Sequence, residues 1–158
     1  MKVDAAEGFH MLGMYADAAD EIAGIDGQKQ SDLDALHVRA RAYWALRDIP
    51  KALASINRFI EVAPDLPFGY VFKAMLLSYE RKPRDAYALL RSVISKFPEH
   101  ATMHYDLACA AAECGIKSEA CHWLYVAISC QPSLKQLALD LEAFADIKND
   151  IERMNPEH

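Results

Sequence analysis

Histidine and cysteine crowd one stretch of the chain: His100, His104 and His122, with Cys109, Cys114, Cys121 and Cys130, all fall between positions 100 and 130. Imidazole and thiolate are the groups that hold zinc, and a thiol beside an imidazole is a pair that nucleophilic catalysis uses. The spacing argues against both. Zinc-binding cysteines come as close pairs, whereas these lie 5, 7 and 9 positions apart. No HExxH, GxSxG or glycine-rich phosphate loop occurs. The chain is therefore expected to have no catalytic residues, no metal and no cofactor, and its cysteines read as buried thiols in a reducing cytosol.

Composition narrows the field further. Of 158 residues, 53% are hydrophobic and 25% charged, a globular balance for one domain with a core of its own. The net charge of -6 leaves no electrostatic footprint for a phosphate backbone or an anionic membrane, so neither nucleic acid nor membrane is expected as a partner. Asp4 and Glu7 interrupt any apolar export signal, and the most apolar run, residues 70–79, contains Lys73. A cytoplasmic protein is the expectation.

The elements that position these side chains follow from an internal period. Pro64, Pro98 and Pro132 are 34 residues apart, each after an apolar helical stretch that it closes. In the same register stand two columns of small residues, Ala6, Ala40, Ala74 and Ala108, and Ala18, Ala52, Ala86 and Ala120, where helix backbones can approach closely. Larger apolar columns fill the space between: Phe9, Tyr43 and Leu77 on a first helix, and Ile22, Ile56, Leu90 and Leu124 on a second. Ile25, Phe59, Val93 and Ala127 form a further column suited to the following repeat, so coupling is between nearest neighbours. His104 shares a column with Leu36 and Tyr70, which makes it a core residue rather than a ligand.

This pattern resembles the tetratricopeptide-repeat (TPR) family over roughly residues 1–134. The resemblance implies an all-α, right-handed TPR solenoid of antiparallel helix pairs, about 3.5 repeats with a C-terminal capping helix, in a single array over 1–154. The repeats are a partial one at 1–32, then 33–66, 67–100 and 101–134, with a cap at 135–154 and a frayed tail at 155–158. Gly13, Tyr15 and Gly115 keep family positions at the turns. Departures from the pattern are Arg39 and Lys73 in a usually apolar column, Arg47 and Arg81 in place of the turn glycine, and Gln30 in place of a closing proline. In the cap, Leu134, Leu137, Leu141, Phe144, Ile147 and Ile151 are spaced for one helical face, as one helix or two short ones.

In such an array the first helices line a concave groove. The resemblance assigns to it Asp34, His37, Val38, Arg41, Trp44 and Ala45, then Phe68, Val71, Phe72, Met75 and Tyr79, then Thr102, Tyr105, Asp106, Cys109 and Glu113. The expected ligand site is His37, Arg41, Trp44, Phe68, Phe72, Met75, Tyr79, Tyr105 and Cys109; the alternative is that the rings pack on one another and on neighbouring helices. Asp106, Glu113, Asp140 and Asp146 would give an acidic edge opposite His37 and Arg41, the alternative being a solvated face, which is the favoured reading for Asp140 and Asp146. Three rings burying ~100 Å² each at ~25 cal/mol/Å² would contribute about 7 kcal/mol, before association costs of ~4 kcal/mol or more. A micromolar peptide interaction is the scale. The places that grip a C-terminal carboxylate in one TPR subclass hold His37, Arg41, Phe72, Thr102 and Asp106 here, which do not match it, and Asp106 would repel that group. The expected function is a protein-protein interaction adaptor or scaffold, a monomer or weak homodimer that binds a peptide or helix of a partner. A dedicated chaperone for a secreted or assembling client is the alternative, and a thiol or metal enzyme a distant third.

Overall fold

The computed structural model describes residues 33–155, together with Met14 and Asp17. The expectations for Ala6, Phe9, Gly13, Tyr15, Ala18, Ile22, Ile25 and Gln30, the partial repeat at 1–32 and the end of the tail lie outside the described residues. The chain divides into two compact units, residues 1–69 and 70–158.

The described elements are all helical: α1 (Leu33–Ala45), α2 (Ile49–Val62), α3 (Pro67–Tyr79), α4 (Pro83–Val93) with a 3₁₀ turn (Ile94–Lys96), α5 (Ala101–Glu113), α6 (Lys117–Cys130), α7 (Leu134–Asp140), a 3₁₀ segment (Glu142–Ile147) and α8 (Lys148–Arg153). First helices of a pair begin at Leu33, Pro67 and Ala101 and second helices at Ile49, Pro83 and Lys117, both series 34 residues apart.

The turn within each pair is built the same way three times. After α1 the Arg47 N–H donates to Trp44 O at 3.0 Å and the Asp48 N–H to Tyr43 O at 2.9 Å. After α3 the bonds run from Arg81 to Ser78 at 3.0 Å and Lys82 to Leu77 at 2.9 Å, and after α5 from Gly115 to Ala112 and Ile116 to Ala111, both at 2.9 Å. These are Schellman caps, which close only if the residue after the helix turns left-handed. Gly115 does so at φ 76°, and Arg47 and Arg81 do so at 62° and 60°. The two arginines therefore hold the backbone shape of the glycine they replace. Asp48 then caps α2, its Oδ1 accepting from the Lys51 N–H at 3.2 Å.

The small-residue columns are where close approach requires them. Ala40 and Ala52 in the first unit, and Ala74, Ala86, Ala108 and Ala120 in the second, are at most 2% exposed. Ile56, Leu90 and Leu124 are fully buried, with Phe59, Val93 and Ala127 behind them. Tyr43 and Leu77, expected as knobs, are half-buried.

The C-terminal segment departs from a single amphipathic helix. Its backbone turns extended at Leu141 (φ −88°, ψ 124°), which breaks the periodicity. Phe144, Ile147 and Ile151 reach the core as expected, joined by Ala138 and Met154, whereas Leu137 and Leu141 are 54% and 37% exposed. Three short pieces thus cover Tyr105, Ala108, Ala111, Ala120 and Leu124. Lys135 ties the end of α8 back to α7, its Nζ donating to Glu152 O at 3.0 Å and Met154 O at 2.7 Å.

Candidate functional site

The histidines and cysteines have structural positions. His100 is the N-cap of α5, its Nδ1 accepting from the Met103 N–H at 3.2 Å. His104 is 3% exposed and donates from Nε2 to the carbonyl of Pro98 at 2.9 Å, which pins the closing proline to the next helix. Its ring stacks on Trp123 at 5.6 Å, and His122 meets the same indole edge-on at 4.6 Å. Burial raises the pKa of the Cys114 and Cys121 thiols, and of Cys109 most strongly. A thiol displaced that way is a poor nucleophile at neutral pH. Among the described residues no group of three or more His, Cys, Asp or Glu is gathered to hold a metal ion.

The first-helix residues divide between the two units. In the first, the His37 ring meets Phe68 edge-on at 4.5 Å, and Phe68 in turn meets Phe59 at 5.2 Å. Leu33, Asp34, His37, Phe59, Leu66 and Phe68 line a cleft of about 270 Å³. Trp44 is half-buried, and the guanidinium of Arg47 lies over its ring, 4.7 Å from the centroid. Arg41 is exposed. Val38, expected to face a ligand, is 5% exposed and belongs to the core.

In the second unit Phe72 is half-buried, while Met75 and Tyr79, one turn apart on α3, are 37% and 50% exposed. On α5 the stripe of Tyr105, Asp106 and Cys109 is sunk deeper. Tyr105 is 8% exposed and its ring packs edge-on against Phe144 of the cap at 5.9 Å. That corrects its expected place in the ligand groove: the ring is core, covered by the C-terminal segment. Cys109 is half-buried against the same cluster. Burial pushes the Asp106 carboxyl up to about 7. Asp146 and Asp140 are exposed, on the solvated face favoured for them: Asp146 pairs with Lys117 of α6 at 2.8 Å, and Asp140 accepts from Gln136 at 3.2 Å.

No protein-family model matches the sequence, and no curated protein does. Solved structures do. A crystal structure of MamA superposes with a TM-score of 0.81 at 13% identity, over 97% of this chain and 85% of that one. A MamA double mutant gives 0.78 at 16% identity, over 94% and 84%. YrrB, described as a TPR protein with an unusual peptide-binding site, gives 0.74 at 11% identity, over 99% and 86%. The chain has the tetratricopeptide-repeat fold.

Within this TPR fold, sequence reasoning missed two features. Gly69 starts α3 against α2, where a Cβ would lie 2.6 Å from Ile60 Cγ1 and 3.2 Å from Phe59 Cδ1. The second is a cluster around Glu119, which accepts from the Trp123 indole at 2.7 Å and the Tyr87 hydroxyl at 3.3 Å, with Arg91 Nε 3.8 Å away. The pair Glu119 and Trp123 is visible in sequence as an i,i+4 neighbour, but nothing in the sequence brings α4 onto it.

Proposed function

We propose that this TPR chain is a protein-interaction module, an adaptor or scaffold that takes an apolar segment of a partner on the exposed, groove-lining faces of its first helices. The observation that carries the reading is the pair Met75 and Tyr79: two large side chains, 37% and 50% exposed, one turn apart on a first helix and next to half-buried Phe72. Large apolar side chains gathered on one exposed face mark a place where another surface is buried. The peptide-binding site ascribed to YrrB supports the same use of the fold, as an analogy. The structural roles of His100 and His104, and the raised thiols of Cys109, Cys114 and Cys121, count against catalysis. In the first unit the cleft at His37 and Phe68 offers a second apolar contact.

The test is retention of proteins from native extract by the immobilised chain, comparing wild type with Met75→Glu/Tyr79→Glu. Both residues are exposed, so the variant should keep its circular dichroism. Loss of a specific protein supports the reading; identical retention by wild type and variant, or loss on Leu137→Glu instead, rejects it.

A further inference from the structure

We propose that the C-terminal cap is exchangeable between copies of this chain: its backbone straightens at Leu141 into one continuous helix, and the residues beyond this hinge dock on α5 and α6 of a second copy. The product is a domain-swapped dimer. The inference starts from a helix break that no residue in the sequence demands. Over residues 136–145, eight of ten are Leu, Ala, Gln or Glu, all strong helix formers, and no glycine or proline stands between 134 and 155. α7 nevertheless stops at Asp140, and Leu141 is extended at φ −88° and ψ 124°. On either side of it the chain makes the tighter 3₁₀ bonds, the Leu141 N–H donating to Ala138 O at 3.3 Å and the Phe144 N–H to Leu141 O at 3.1 Å. Local preference and tertiary packing pull this hinge in opposite directions.

The packing that holds the break is made by residues beyond it. Phe144, Ile147 and Ile151 are buried against Tyr105, Ala108 and Leu124, Asp146 pairs with Lys117 at 2.8 Å, and Lys135 Nζ donates to Met154 O at 2.7 Å. Lys135 and Met154 are 19 positions apart, ~28 Å on a straight helix, so straightening carries the distal half off its own unit. The surface it leaves fits the same segment of a second copy, which remakes each of those contacts across the dimer. The hinge adds a gain of its own. Leu137 and Leu141 are 54% and 37% exposed in the closed form, although helical spacing puts them on the apolar stripe of Phe144, Ile147 and Ile151. In a two-fold swapped dimer the straight helices pass each other at the hinge, which brings these leucines of both copies together and out of water.

The experiment is light scattering on the full chain refolded from urea at low and at high protein concentration, as wild type, Glu142→Pro and Leu137→Glu. Proline fits the closed form, because Leu141 before it is already extended and residue 142 opens the 3₁₀ segment, and it bars a continuous helix. Wild type at high concentration is expected to give a dimer fraction, and Glu142→Pro to stay monomeric. Leu137→Glu, altered at a side chain exposed in the monomer, should lower the dimer fraction about ten-fold. Exchange is read from equal amounts of heavy- and light-isotope chain refolded together. Carbodiimide should join Lys117 to Asp146 in the dimer, about half of those pairs linking a heavy to a light chain. A wild type monomeric at both concentrations, a dimer whose Lys117–Asp146 pairs all carry one label, or a Glu142→Pro chain that dimerises like wild type overturns the inference. If Glu142→Pro folds poorly, Leu137→Glu and the mixed-label pairs decide it.

Discussion

Trp123 donates its indole N–H to Glu119 at 2.7 Å, and that bond is the centre of a packed set drawn from three helices. The buried ring of His104 stacks on one side of the indole, Arg91 lies 5.2 Å from its centroid, and Tyr87 reaches the same carboxylate. Tyr87 and Arg91 belong to α4, His104 to α5, and Glu119 and Trp123 to α6, so the set clasps neighbouring helix pairs of one unit.

Trp123→Phe should cost about 1 kcal/mol through the lost donor, and Trp123→Ala about 2 kcal/mol or more through the lost ring. A double-mutant cycle of Glu119→Ala and Trp123→Phe in urea should give a coupling of about 1 kcal/mol. Full additivity would mean the bond stabilises nothing.

The three Schellman caps make a matched series. A non-glycine residue in the left-handed region costs about 1–2 kcal/mol, partly offset because glycine loses more freedom on folding. Arg81→Gly should therefore stabilise by up to about 1 kcal/mol, and Arg47→Gly by less, since it also removes the cation over Trp44. Gly115→Ala should destabilise by about 1 kcal/mol although its Cβ meets nothing within 4 Å, a cost of conformation alone. Denaturant midpoints check all three.

Gly69→Ala tests steric fit instead. Its Cβ would sit 2.6 Å from Ile60 Cγ1, so α3 must shift from α2 or Ile60 must leave its rotamer, at about 1–3 kcal/mol. The double variant Gly69→Ala/Ile60→Ala, which removes the clashing Cγ1, should lose less than the sum of the two single variants.

The Asp106 carboxyl titrates at about 7 in the folded chain against 3.8 for an unperturbed aspartate, because burial disfavours its charged form. The folded state then binds more protons than the unfolded state between those values, so this group lowers stability as pH rises from about 4 to about 7. The charges of Asp106 and Glu113 on the same helix add to burial in raising the Cys109 thiol. Asp106→Asn should raise the melting temperature more at pH 8 than at pH 4. Equal gains at both would show that the carboxyl is not desolvated.

Much of this fold was legible because repetition multiplies weak signals. One alanine says little, but Ala40, Ala74 and Ala108 at a fixed interval describe a helix contact, and all three are buried. The same register correctly placed His104 in the core. What the sequence hid depends on which neighbour covers a face. Tyr105 has the spacing of a groove residue and becomes core only because Phe144 reaches it. Leu137 and Leu141 have core spacing and become exposed because the backbone turns between α7 and the next segment. Arg47 and Arg81 looked like lost glycines, but the cap needs a backbone angle, which arginine can adopt at a cost.

The most direct test of the interaction face is site-specific photo-crosslinking in native extract, with benzoylphenylalanine in place of Tyr79 on first helix α3 or of Tyr125 on second helix α6, residues 50% and 45% exposed. If first-helix faces bind the partner, a specific protein is captured from position 79, competed away by unlabelled wild-type chain, and absent from position 125. Capture from position 125 alone, or equal capture from both, would contradict a first-helix binding face.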